Sequence, residues 1–219
     1  ETERGVIVQD TAWDGYEEIP AWIMQGYGTM AMEAGEQLKE YGCERPTHIF
    51  VQAGVGSLAG AVVGYYSNLY ADNPPTFVVV EAEAAACLYK GAAAGDGDIR
   101  IVDGDMETIM AGLACGEPNT ISWDILKNHV KVFIAAPDWV AATGMRMLGA
   151  PIKGDAPVTS GESGAAPFGA LAAMMTMDEY KDLRSDIGLD ENSKVLLFST
   201  EGDTDPDRYK NIVWKGLDK

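Results

Sequence analysis

The chain has 219 residues, of which 47% are hydrophobic and 23% charged, and a formal charge of -18 at pH 7. These are globular proportions, and a chain of this length can bury a core without disulfide or metal staples. The acid excess disfavours nucleic acid and anionic membranes as partners, since both need a basic face, and no apolar run approaches the roughly 20 residues of a membrane span.

Gly5 to Gln9 reads as a short buried strand ending at Asp10, followed by the polar, aromatic loop from Asp10 to Tyr16. Pro20 suits the first turn of a helix, and Trp22, Ile23, Tyr27, Met30, Ala34 and Leu38 carry the helical spacing, so a helix is predicted over about 21–41, closed by Gly42. His48 to Ala53 is the next strand. A glycine turn leads from it into a helix over 57–70 whose small side (Ala59, Gly60, Ala61, Gly64) suits close packing on a sheet. Thr76 to Glu81 is apolar almost throughout, as a strand covered on both faces of a parallel sheet reads.

A short helix over 82–90, an acidic glycine-rich loop over 91–104 and helical pieces over 107–113 and 122–130 follow, then a strand over 132–135. Asp138 is expected to cap a helix through Leu148. Gly161-Glu162-Ser163-Gly164 precedes a small-residue helix over 165–175, and another helix covers 178–187. Lys194 to Phe198 is the last strand, and Ser199 to Asp205 is a polar turn. The alternation predicts an α/β fold with an open, mainly parallel sheet flanked by helices, and ligands outside the carboxyl ends of its strands.

Three cysteines (Cys43, Cys87, Cys115), no Cys-x-x-Cys pair and only two histidines (His48, His129) argue against zinc and fit a reducing compartment. The opening Glu-Thr-Glu-Arg-Gly, without an initiator Met or leader, reads as a cut within a longer protein.

The segment Phe50 to Gly60 carries the most chemistry. An apolar strand stops at Gly54-Val55-Gly56, and a helix starts at once, with Ser57 expected as its N-cap. Such a turn aims several backbone N–H groups and a helix N-terminus at one anion, most often a phosphate; the alternative is a plain connection. It is neither a Walker A loop, lacking Gly-Lys-Ser/Thr, nor the usual dinucleotide fingerprint, since Gly54, Gly56 and Gly60 are spaced one residue too far. No Gly-x-Ser-x-Gly elbow or His-Glu-x-x-His helix is present.

Gln52-Ala53-Gly54-Val55-Gly56-Ser57-Leu58-Ala59-Gly60 resembles the phosphate loop of fold-type-II pyridoxal-phosphate enzymes, those similar to tryptophan synthase β. Gln9 to Trp13, Trp22 to Tyr27, Met110 to Asn119, Ser160 to Gly164 and Ser199 to Asp205 extend the resemblance to the diaminopropionate ammonia-lyase family, over about residues 6 to 215. The resemblance implies a lyase that turns 2,3-diaminopropionate into pyruvate and ammonia, with pyridoxal 5'-phosphate as cofactor, in a cytoplasmic homodimer.

Carried over position by position, it implies that Gly54, Val55, Gly56, Ser57 and Leu58 cradle the cofactor phosphate. Thr200 places a hydroxyl against the pyridine nitrogen, with Ser199 as the neighbouring alternative. Glu162 lies near the ring, or else is a carboxylate at a helix start. Asp10 is a catalytic acid/base, or else a loop cap at a strand end. Trp13 and Tyr16 line the entrance or pack in the core. Cys87 and Cys115 flank loops of one region and could approach each other.

None of the ten lysines sits in a motif like the family's Schiff-base site; Lys90 and Lys153 read as solvated. The expectation is therefore a C-terminal portion, residues 1–219, mostly the large cofactor-binding domain, with the N-terminal half and its lysine as a missing partner. Exposed apolar surface and self-association follow from that expectation. The competing readings are another fold-type-II dehydratase, acting on serine or threonine, and a non-catalytic module that binds phosphate ligands or dimerises.

Overall fold

The computed structural model describes residues 5–218. Four parallel strands form one sheet in the order β3-β2-β1-β4: β1 is His48–Gln52, β2 Thr76–Ala82, β3 Val130–Ala136 and β4 Val195–Leu197. Side chains alternate across β1 and β2. Ile49, Val51, Phe77 and Val79 enter one core, and Phe50, Val78 and Val80 enter the other, so both faces are covered.

The first core lies under α1 (Glu18–Glu40), α2 (Ser57–Leu69), α3 (Cys87–Ala94) and α4 (Thr120–His129). The second lies under α5 (Asp138–Gly149), α6 (Glu162–Thr176), α7 (Lys181–Ile187) and α8 (Pro206–Val213). α1 ends as predicted: Gly42 takes φ +73, and the Cys43 N–H reaches back to the Leu38 carbonyl at 2.9 Å. Close approaches set the helix pairs. A Cβ on Gly169 would lie 1.9 Å from the Val140 carbonyl, which brings α6 hard against α5. Gly60 and Gly64 open α2 toward α4, not toward the sheet: a Cβ on Gly60 would sit 2.6 Å from the Ser122 Cβ.

Several sequence expectations are corrected. Residues 5–9 form no strand, and Val6, Ile7 and Val8 are exposed (78%, 62% and 69%), since no described strand lies beside them to supply hydrogen bonds. Of 107–113, only Ala111–Leu113 is helical, as one 3-10 turn. α3 runs on into the expected loop, to Ala94. α8 follows the expected turn, in a stretch for which no element is predicted; the Asp205 carboxylate accepts from the Arg208 N–H at 3.0 Å and Pro206 fills its first turn. Asp138 is the first residue of α5, with Pro137 at the cap position. Its carboxylate serves the preceding loop, accepting from the Thr108 hydroxyl at 2.5 Å and the Ile109 N–H at 3.2 Å.

The topology locates the crevice. From β1 the chain moves outward through β2 to β3, then returns to place β4 on the other side of β1. The connection after β1 enters α2 in one layer, and the one after β4 enters α8 in the other. The carboxyl ends of β1 and β4 therefore form the switch point, where ligands of open α/β sheets sit.

Candidate functional site

A cavity of about 330 Å³ opens at that switch point. Its wall includes Gly54, Val55, Gly56, Ser57 and Leu58 from the turn after β1, Asp10 from the N-terminal loop, and Thr200 and Glu201 from the turn after β4. Residues separated by most of the chain thus meet around one space.

The turn after β1 is held open by its glycines. Gly56 caps α2 with φ +100, which corrects the expectation that Ser57 is the cap; Ser57 is the first helical residue. A Cβ on Gly54 would come 3.2 Å from the Gly112 carbonyl. The N–H groups of Gly54, Val55, Gly56, Ser57 and Leu58 donate to no acceptor among the described residues. Five unclaimed donors at a helix N-terminus, beside a cavity, fit the phosphate of an anionic cofactor.

The Ser57 hydroxyl faces away from this task and donates to the Asp10 carbonyl at 2.7 Å. Asn119, which caps α4, completes the tie. Its Nδ2 donates to the Asp10 carbonyl and to Ser57 Oγ (3.0 Å), its Oδ1 accepts from the Ser122 N–H (2.9 Å), and its own N–H donates to the Val55 carbonyl (2.7 Å). The Asp10 backbone is thereby fastened to the glycine turn. Tyr27 and Cys115 share the cavity wall with Asp10. Both have raised pKa values, first through burial and then through the Asp10 charge.

At the opposite wall, the Thr200 hydroxyl accepts from Gln52 Nε2 at 2.9 Å. Glu201 Oε2 accepts from the Ser163 N–H at 2.7 Å and so fills the N-terminus of α6. Glu162 and Ser199 do not line the cavity. Glu162, the first residue of α6, is 8% exposed; its Oε1 is 3.4 Å from Arg208 Nε, an ion-pair distance without hydrogen-bond geometry. Burial raises its pKa, and Glu201 and Asp205 add to this against Arg208. The Ser199 hydroxyl bonds Ser160 Oγ at 2.8 Å, and Ser199 lines a separate hollow between α1 and β4.

Trp13 and Tyr16 stack on each other at 4.4 Å, and the Tyr16 hydroxyl donates to the Ile7 carbonyl; neither ring lines the cavity. Cys87 and Cys115 are free thiols, with Cys87 Sγ 3.6 Å from the Cys115 carbonyl. Burial, helped by Glu81, pushes the Cys87 thiol up to about 12. Among the described residues, no lysine lines the cavity, and no cluster of His, Cys, Asp and Glu is placed to hold a metal ion.

Sequence reasoning passed over Gln52, Asn119 and Glu201. Asn119 carried a signal, as an Asn before a helical pattern. Gln52 carried a fainter one, as a polar side chain closing an apolar strand.

A parallel α/β sheet with free amides at its switch point is the frame of a phosphate-bearing cofactor enzyme, and the family follows from comparison with known proteins. The chain belongs to the pyridoxal-phosphate dependent enzymes, whose family model matches residues 7–198. Among curated relatives, it is 54% identical over 217 residues to diaminopropionate ammonia-lyase of Salmonella typhimurium, covering 99% of this chain and 54% of that protein. The Escherichia coli K12 enzyme of the same name is 50% identical, with 96% and 52% covered. The crystal structure of the Escherichia coli enzyme with an aminoacrylate-PLP azomethine reaction intermediate superposes with a TM-score of 0.89 at 47% identity, covering 96% of this chain and 53% of that one. The chain thus spans about half the length of the relatives it matches.

Proposed function

We propose that these residues are part of a pyridoxal-phosphate lyase that eliminates ammonia from 2,3-diaminopropionate and yields pyruvate. The observation that carries this reading is the row of five unclaimed N–H groups from Gly54 to Leu58, opening on a cavity shared with Asp10 and Thr200. The names of the relatives supply the substrate class. When bound, the cofactor supplies an electron sink for loss of the substrate's α-proton.

The chain's own residues divide the remaining work. Gly54 to Leu58 hold the phosphate through backbone donors and the dipole of α2. Thr200 sets a neutral hydroxyl against the ring nitrogen. Asp10 takes a proton from substrate Cα, held in place through its backbone by Ser57 and Asn119. Glu162 and Ser199 are left out of this machinery because their side chains are engaged with Arg208 and Ser160. Since no described lysine lines the cavity, the Schiff-base lysine is proposed to come from outside residues 1–219. A cytoplasmic homodimer belongs to the same reading, and no described helix is long and apolar enough to cross a membrane.

The test is pyruvate release from 2,3-diaminopropionate by the full-length holoenzyme. Asp10→Asn is expected to retain the cofactor and lose about 10²-fold or more in turnover. Keto acid formed from serine or threonine, with none from 2,3-diaminopropionate, would replace this reading by that of a hydroxyamino-acid dehydratase. An unimpaired Asp10→Asn enzyme would remove Asp10 from the mechanism.

A further inference from the structure

One buried amide is hydrogen-bonded to the Thr200 hydroxyl in the cavity wall. Gln52 closes β1, is 2% exposed and lines the cavity beside Thr200. Its Nε2 donates to the Phe198 carbonyl at 3.0 Å and to Thr200 Oγ1 at 2.9 Å. The orientation of this amide is settled by chemistry. A backbone carbonyl only accepts, so the end of Gln52 that faces Phe198 must be the NH₂. The Oε1 end is buried and has no partner among the described residues.

The consequence falls on Thr200. Toward Gln52 its oxygen is an acceptor, and its own proton finds no acceptor among the described residues. A lone hydroxyl is ambivalent: it can give its proton to an unprotonated ring nitrogen, or accept from a protonated one. The donation from Gln52 tips that balance. It occupies one of the two lone pairs and polarises the O–H, which favours donation over acceptance on the cavity side.

We propose that Gln52 is a positioning residue that sets Thr200 as a hydrogen-bond donor and thereby keeps the cofactor's ring nitrogen unprotonated. The inference rests on the placement of Thr200 at that nitrogen, made under the proposed function. It adds that the state of the nitrogen is decided by an amide one residue further from the ring, braced on the carbonyl that ends β4.

The experiment follows the ring nitrogen itself. The full-length holoenzyme is loaded with pyridoxal phosphate labelled with 15N in the ring, and the 15N shift is recorded against pH. The parent protein gives the reference titration, with the nitrogen unprotonated at neutral pH and taking up its proton at lower pH. Gln52→Met, which removes the donor and keeps the length, moves the titration up by about one pH unit, the worth of one hydrogen bond. Gln52→Glu, which offers Thr200 an acceptor and turns its proton away from the ring, moves it further in the same direction. Thr200→Val separates the two layers of the argument. A titration unmoved in Thr200→Val means that Thr200 is not at the nitrogen, and placement and inference both fall. A shift in Thr200→Val with none in either folded Gln52 variant overturns the role of Gln52 and leaves the placement standing. If Gln52→Glu does not fold, Gln52→Met alone decides.

Discussion

Glu81 is the most deeply buried carboxylate among the described residues, at 1% exposure, and it is spent on a helix end. Its two oxygens accept the N–H groups of Leu88 (2.8 Å) and Tyr89 (2.7 Å), two of the orphan donors at the start of α3. Burial lifts its pKa from 4.5 to about 7, and the hydrogen bonds only partly offset this. The folded protein therefore holds this proton between pH 4.5 and 7, where the unfolded chain has released it. The associated stability is complete below pH 4.5 and is lost as pH rises through about 7. Urea midpoints should fall over that window, and Glu81→Gln should flatten the fall; a variant with the same slope would assign the pH dependence elsewhere. At this scale the sequence was legible wherever a cavity residue stands in a turn of distinctive composition. Asp10, the glycines and Thr200 stand in turns whose composition announces them. Gln52 does not, because its partners lie 146 and 148 positions away, and no local pattern encodes that pairing. Glu162 was open for a related reason: a carboxylate at a glycine-flanked helix start can face the ligand or a neighbouring helix, and here it begins α6 beside Arg208 of α8.

Among elements, the glycine turn at the start of α2 is constrained twice over. Gly56 combines φ +100 with a Cβ direction that ends 2.8 Å from Ser122 Oγ. Gly56→Ala should cost about 1–3 kcal/mol of stability in backbone strain alone and also loosen the phosphate cradle. A variant of parental stability and cofactor affinity would show that the turn tolerates another conformation. The long, periodic elements were readable because burial imposes the period: α1 and β2 differ from expectation by a few residues at most. The two failures have different causes. Val6-Ile7-Val8 has strand composition, yet strand formation needs a neighbour, and none lies beside it among the described residues. α8 has one buried residue, Ile212, so its polar sequence hides it; the Asp205-Pro206 start was the available cue.

For the whole molecule, the covered parallel sheet could be inferred from one strand, since Thr76 to Glu81 is apolar on both faces. The order β3-β2-β1-β4 could not, because it is decided by which edge each returning strand finds. That order makes the cavity: it brings Thr200 and Gly54 to the walls of one space. The central claim is that the turn from Gly54 to Leu58 binds the cofactor through its phosphate. Its most direct test compares the affinity of the full-length apoenzyme for pyridoxal phosphate and for pyridoxal, which differ only in that group. Pyridoxal is expected to bind at least about a hundredfold more weakly, the loss of several charge-assisted hydrogen bonds, and Gly56→Ala to narrow this gap. Equal affinity for the two compounds, or a gap untouched by Gly56→Ala, would contradict the claim.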